Sequence, residues 1–179
     1  MATTAIYPGS FDPVTHGHVD IIQRSLKLFD RVVVAVTQNL SKRPFLPLEE
    51  RIFLLERVTE GMGPVTVVSF TGLLVDFARS VPAHIVIRGL RAVSDFELEL
   101  QMALTNRAID AELETAFLMP SGRFVFLSSG LVREIWQLGG PFEKFVPEVV
   151  ADHLRRKPRG VENDGLPGWA GGGWTGGDS

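Results

Sequence analysis

With 179 residues, 45% of them hydrophobic and 22% charged, the chain has the length of one globular domain with a full core and is too short to add a second catalytic domain. Its 18 Lys+Arg against 21 Asp+Glu give a formal net charge of -3, which excludes a broad positive face for long nucleic acid; any anionic ligand must be met by local charges. The lack of cysteine excludes disulfides, thiolate metal sites, iron-sulfur clusters and thiol nucleophiles.

Short runs rich in Val and Ile alternate with stretches of helical period, the pattern of strand-helix-strand units that build a parallel sheet. The first strand is predicted at residues 4–7. It runs into Pro8-Gly9-Ser10-Phe11-Asp12-Pro13-Val14-Thr15-His16-Gly17-His18, and the stripe of Val19, Ile22, Leu26 and Phe29 puts the start of the next helix at Gly17 and His18. A second strand, 32–37, leads into Ser41-Lys42-Arg43-Pro44. The helix that follows has Pro47, Glu49 and Glu50 at its positive end and Ile52, Leu55 and Val58 on its buried stripe. Strands at 65–69 and 84–87 come next, the latter ending in Arg88-Gly89-Leu90-Arg91. Ser94-Asp95-Phe96-Glu97 reads as a capping box that opens a helix to about residue 110, with Arg91, Asp95 and Glu99 recurring every four residues along one side. After a strand at 115–119, Phe124-Val125-Phe126-Leu127 reads as a strand running straight into a helix capped by serine, and a last helix covers about 147–156.

Beyond Pro158 the composition changes. Residues 160–179 hold eight of the 18 glycines and two of the three tryptophans with no aliphatic period, so residues 1–158 are expected to form the single domain and 159–179 a flexible tail. Gly171 to Gly176 matches G-x-G-x-x-G, but no strand precedes it and no helix follows, so the match is accidental; Trp169 and Trp174 are the tail's candidate anchors. No apolar run approaches the ~18 residues of a membrane span, and residues 1–12 lack a basic stretch followed by an apolar one, so a soluble cytoplasmic protein without a membrane partner is expected.

Three strand-helix junctions attract anions. At the first, Gly9 frees the backbone beside the Ser10 hydroxyl, and His16 and His18 stand at the helix start. At the second, Arg88 and Arg91 flank a glycine at a strand's carboxyl end, where guanidinium forks match phosphate oxygens. At the third, Ser128, Ser129 and Gly130 offer backbone N-H groups at a helix start. Singly, each has a plain reading as turn, solvated charge row or N-cap. Jointly, on one rim, they point to a polyphosphate ligand. There is no G-x-x-x-x-G-K-[ST], so a P-loop is excluded, and with His84 and His153 remote from His16 and His18 no dedicated metal site is expected.

Thr15-His16-Gly17-His18 fits the T-x-G-H form of the nucleotidyltransferase superfamily. With Tyr7-Pro8-Gly9-Ser10-Phe11-Asp12-Pro13, Ser41-Lys42, Leu48-Glu49-Glu50-Arg51, Arg88-Gly89-Leu90-Arg91, Asp95-Phe96-Glu97, Phe117-Leu118-Met119-Pro120-Ser121 and Ser128-Ser129, the chain resembles the phosphopantetheine adenylyltransferase family over about residues 3–157. The resemblance implies an α/β fold, a Rossmann-like doubly wound parallel sheet of five strands with helices on both faces. It implies adenylyl transfer from ATP to 4'-phosphopantetheine, giving dephospho-coenzyme A and pyrophosphate with Mg2+, in a cytoplasmic homohexamer with coenzyme A as a feedback ligand. Carried over by position, Ser10, Phe11, His18, Gly89, Leu90, Arg91, Glu99, Phe124, Val125, Phe126, Leu127, Ser128, Ser129 and Gly130 would hold ATP, and Ser10, Lys42, Leu74 and Arg88 would hold phosphopantetheine. His18, Lys42, Arg91 and Ser10 would be catalytic. The chain departs from the family at Ser10, where Thr is frequent, at Leu74 (Met), at Leu98 (Tyr) and at Gly130 (Ser). Ser10 keeps the hydroxyl and Leu74 the apolar wall, whereas Leu98 loses an aromatic surface.

The acceptor is itself an ionised phosphate, so the reaction needs no general base and no covalent intermediate; positioning and charge stabilisation suffice. Magnesium would be held mainly by the ATP phosphates. Another T-x-G-H transferase, acting on nicotinamide mononucleotide or with a cytidylyl donor, is the nearest alternative, and a non-catalytic nucleotide or coenzyme A-binding module the more distant one.

Overall fold

Alternation along the strands decides which face of the sheet each side chain occupies. The computed structural model describes residues 2–38, 44–91 and 93–159. Five parallel strands, β1 (Thr4–Gly9), β2 (Arg31–Thr37), β3 (Val65–Phe70), β4 (Ile85–Gly89) and β5 (Glu114–Leu118), form one sheet in the order β3-β2-β1-β4-β5. Register is continuous, with Ile6 opposite Val33 on one side and Val86 on the other. The helices are α1 (His16–Ser25), α2 (Leu48–Thr59), α3 (Leu74–Ser80), α4 (Val93–Ile109), α5 (Ser129–Gln137) and α6 (Glu148–Arg156).

Ala5, Tyr7, Val32, Val34, Val36 and Ile87 point to one face and bury against α1, α2, α5 and α6 through Ile22, Leu55, Trp136 and Leu154. Ile6, Ala35 and Val86 point the other way, against Val75 and Ala78 of α3, and α4 packs on α3 and β5. The sheet is therefore doubly wound, as expected. Each fully buried Val, Leu or Ile contributes roughly 1.5–3 kcal/mol, which is why Ile6 and Ile22, both at 0% exposure, are poor sites for polar substitution. Trp136 locks α5 to α6: its ring N-H donates to the Leu154 carbonyl at 3.0 Å.

Several expectations need correction. Residues 124–127 are not a strand. A 3-10 turn (Gly122–Phe124) leads into local bonds from Val125 N-H to Gly122 O and from Leu127 N-H to Phe124 O, because an apolar run of four residues does not separate a strand from a buried turn. Helix α1 starts at His16, with Thr15 as its cap, because the Thr15 side chain accepts from the His18 N-H. Helix α4 begins at Val93, so Ser94 lies inside the first turn and is not its cap. Helix α3 is seven residues long, too short to show a stripe in the sequence. The segment carrying Lys42 and the tail from residue 160 lie outside the described residues.

Candidate active site

Strand order reverses between β1 and β4, so the loops leaving their carboxyl ends diverge and open a crevice. The β1 loop is fixed from several sides. A Cβ at Gly9 would lie 3.0 Å from the Phe11 ring, so only glycine lets that ring fold back over the strand end; Phe11 itself adopts φ 47°. Asp12 accepts hydrogen bonds from the backbone N-H groups of Phe45 and Leu46, both at 2.8 Å. The Ser10 and Thr37 carbonyls accept from Arg51 Nη1, a buried guanidinium that ties the ends of β1 and β2 together.

Thr15 and His18 form a capping box in which histidine replaces the usual Glu: the Thr15 N-H donates to His18 Nδ1 at 3.0 Å, and the His18 N-H to Thr15 Oγ1 at 3.4 Å. Nδ1 is thus an acceptor, which assigns the proton of the neutral ring to Nε2. Burial, reinforced by the Arg91 charge, lowers the His18 pKa to about 4, so the ring is a neutral N-H donor at physiological pH. Phe11 braces it edge-on at 5.0 Å.

From β4, Arg88 forks onto Glu99 of α4 at 2.5 and 2.6 Å and donates its remaining nitrogen to the Pro8 carbonyl at 3.1 Å. Glu99, expected as one member of a row with Arg91 and Asp95, therefore answers Arg88 of the sheet. Arg91 donates to the Leu127 carbonyl at 3.1 Å, joining β4 to the loop before α5. That loop is held at its other end by Asp20 of α1, which accepts from the Ser121 N-H and Oγ. Ser128 caps α5 by accepting the Leu131 N-H, and the Ser129 hydroxyl donates to the Pro13 carbonyl. The first N-H groups of α5 are left for a ligand.

Two hollows meet at Pro8, Gly9, Ser10, Arg88 and Glu99. The first, about 320 Å³, gathers Phe11, His18, Gly89, Arg91, Phe124, Leu127 and residues 128–130. The second, about 940 Å³, is lined by Leu74 and by Thr37, Met102, Asn106 and Thr115. Of the residues expected to bind, Leu90, Val125 and Phe126 line neither; Phe126 is exposed and sits edge-on to Phe145. Lys42 lies outside the described residues. The sequence reading missed Tyr7, Pro120 and Arg133 in the first hollow and the polar pair Asn106 and Thr115 in the second, because no local pattern marks them.

Cytidylyltransferase-like proteins match residues 6–135. The chain is 54% identical to a phosphopantetheine adenylyltransferase from Caldanaerobacter subterraneus subsp. tengcongensis, over 86% of this chain and 96% of that one. It is 50% identical to the same enzyme from Nitrosomonas eutropha, over 88% and 96%. Among solved structures it shares its fold with a nicotinic acid mononucleotide adenylyltransferase from Plasmodium falciparum (TM-score 0.66, 14% identity, 87% and 95% covered). A putative nicotinate-nucleotide adenylyltransferase from Vibrio parahaemolyticus is similar to it as well (TM-score 0.64, 19% identity, 87% and 93% covered).

Proposed function

The chain belongs to the phosphopantetheine adenylyltransferase family, and on that premise we propose how its two hollows carry out adenylyl transfer from ATP to 4'-phosphopantetheine. The first hollow takes ATP: it offers His18 Nε2-H, Arg91 and the N-terminus of α5 to phosphate oxygens. The second takes phosphopantetheine, with Leu74 and Met102 beside the pantetheine arm and Arg88 at its phosphate. What carries the reading is the common wall. Ser10 and Arg88 border both hollows, so two anions bound side by side would meet there.

An ionised oxygen of the acceptor phosphate attacks the α-phosphorus; the bond to the β-bridging oxygen breaks, and pyrophosphate leaves with the electron pair. His18 Nε2-H, Arg91 and Lys42 donate to the oxygens on which charge builds, and Ser10 aligns the acceptor. Lys42 is assigned by resemblance alone. Magnesium fits through the ligand, since the first hollow presents N-H and guanidinium donors and no three His, Asp or Glu side chains converge among the described residues. When bound, it would neutralise triphosphate charge. Coenzyme A, which contains the product's skeleton, is the expected feedback ligand, and the cytoplasm the expected compartment; no described helix is long and apolar enough to cross a membrane. Residues 1–158 are the catalytic unit in this reading. Helix α4 exposes Leu100 and Leu104, one turn apart on the same face, which supports burial of this face against other copies in a hexamer.

Pyrophosphate release with ATP, magnesium and a panel of acceptors tests the assignment. Turnover with phosphopantetheine and little with nicotinate or nicotinamide mononucleotide is expected. Preference for a mononucleotide would overturn it, and ligand binding without any turnover would leave a binding module.

A further inference from the structure

Tyr7 is the chain's only tyrosine, and the reaction described above does not use it. It stands two residues before the end of β1, with its side chain on the α1 face of the sheet, and is 6% exposed. It lines the first hollow and not the second. Its ring is held edge-on by Phe11 at 5.3 Å, and its hydroxyl comes within 3.9 Å of where a Cβ on Gly89 would sit. It is therefore wedged between the strand ends that carry Ser10 and Arg91.

The hydroxyl makes no hydrogen bond to any described residue. The residue is buried but its oxygen is not among the enclosed side-chain atoms that lack a partner, so it reaches the space of the first hollow, where a ligand can meet it. Packing does not require the oxygen, since the edge contact with Phe11 involves the ring alone. Of the charged groups whose fields reach it, Arg88 donates to Glu99 and to the Pro8 carbonyl, Glu99 accepts from Arg88, and Arg91 donates to the Leu127 carbonyl. Burial holds the phenol well above its usual ionisation range, so the group presents an O-H.

We propose that Tyr7 is a further substrate-binding residue, whose hydroxyl donates to an oxygen of the bound nucleoside triphosphate beside Gly89. This rests on the first hollow being the ATP site. The phenol faces the nucleotide side alone, which separates it from Ser10 and Arg88 on the common wall, and it adds a neutral donor beside His18.

Tyr7→Phe removes one oxygen and keeps the ring. Calorimetry of the intact protein with magnesium-ATP and, separately, with phosphopantetheine should show the ATP Kd rising about 3- to 10-fold, the loss expected for one neutral hydrogen bond, with the phosphopantetheine Kd within twofold. The melting temperature should hold or rise slightly. Because the chain has a single tyrosine, labelling with [ζ-13C]tyrosine gives one NMR line in the wild type. That line should move with magnesium-ATP and stay still with phosphopantetheine, a readout that does not depend on the variant folding. An unchanged ATP Kd in the variant, a line that ignores ATP, or equal weakening of both ligands would overturn the role while leaving the ATP site in place. Failure of the wild type to bind ATP would instead overturn the reading of the hollow and Tyr7's role with it.

Discussion

The two hollows share a wall yet are built differently. The first is small and rimmed by donors held on short tethers: His18 by Thr15, Arg91 by Leu127, and the α5 start by the Ser128 cap. The second has nearly three times the volume, 940 against 320 Å³, and draws on β2, α3, α4 and β5. The contrast separates two tasks. Chemistry on phosphate needs donors that do not reorganise as charge develops, whereas holding a long, mostly uncharged arm needs area and a few polar contacts.

The sharpest way to break that division is at His18. If the first hollow does the chemistry, His18→Ala should lower kcat by about 10²–10³, the usual loss for one preorganised donor, and change the ATP Kd only a few-fold. His16, which stacks on Phe124 at 5.9 Å, should matter far less. Near-normal turnover with lost ATP affinity in His18→Ala would make it a binding residue and shift the catalytic role to Arg91 or Lys42.

The same imidazole links pH to stability. Its folded pKa of about 4 lies below the ordinary 6.5, so the unfolded chain binds more protons between those values. Stability from this group is complete above about pH 6.5 and is lost as pH falls towards 4, on the order of 2–3 kcal/mol. Denaturant unfolding of wild type and His18→Gln at several pH values isolates it: the gap between the curves should depend on pH across this window. In kcat, no step at the usual histidine pKa is expected. A clear one would mean the imidazole titrates in the open.

The common wall gives the next test. Arg88 borders both hollows and Arg91 only the first. Arg91→Ala should weaken ATP about 10- to 100-fold, as expected for a lost charged hydrogen bond, and spare phosphopantetheine; Arg88→Ala should act chiefly on phosphopantetheine. Calorimetry with each ligand decides. Equal losses for both ligands in both variants would erase the division.

The first hollow was legible in the sequence because contiguous stretches build it. T-x-G-H is a cap plus a donor, and Arg88 to Arg91 is one strand end. Of the second only Ser10, Leu74 and Arg88 were named, through the resemblance, since Thr37, Met102, Asn106 and Thr115 join them only through the parallel crossovers. Five strands could be read because β2, β3 and β4 are Val/Ile-rich runs and β1 and β5 short apolar ones, while residues 124–127 imitated one. Glu99 illustrates the limit: in the sequence it stands in a row with Arg91 and Asp95, and only the fold brings Arg88 of β4 to it.

The smallest expected effect concerns a hydroxyl in the second hollow. Thr115 Oγ1 is buried without a hydrogen-bond partner in the structure, yet the residue lines the larger hollow beside Asn106. Thr115→Val replaces the hydroxyl with a methyl of similar size. If the oxygen is idle in the free protein, removing it relieves an unmet desolvation cost, and stability should rise by about 1 kcal/mol. If it serves the acceptor, phosphopantetheine should bind a few-fold more weakly, while ATP binding and kcat at saturation stay as they were. Tyr7→Phe is predicted to do the reverse, weakening ATP and sparing the acceptor, so the two variants form a crossed pair. A Thr115→Val protein that loses more than about 1 kcal/mol would show that the hydroxyl is satisfied in the free enzyme, as by a bridging water, and would remove it from the acceptor side of the comparison.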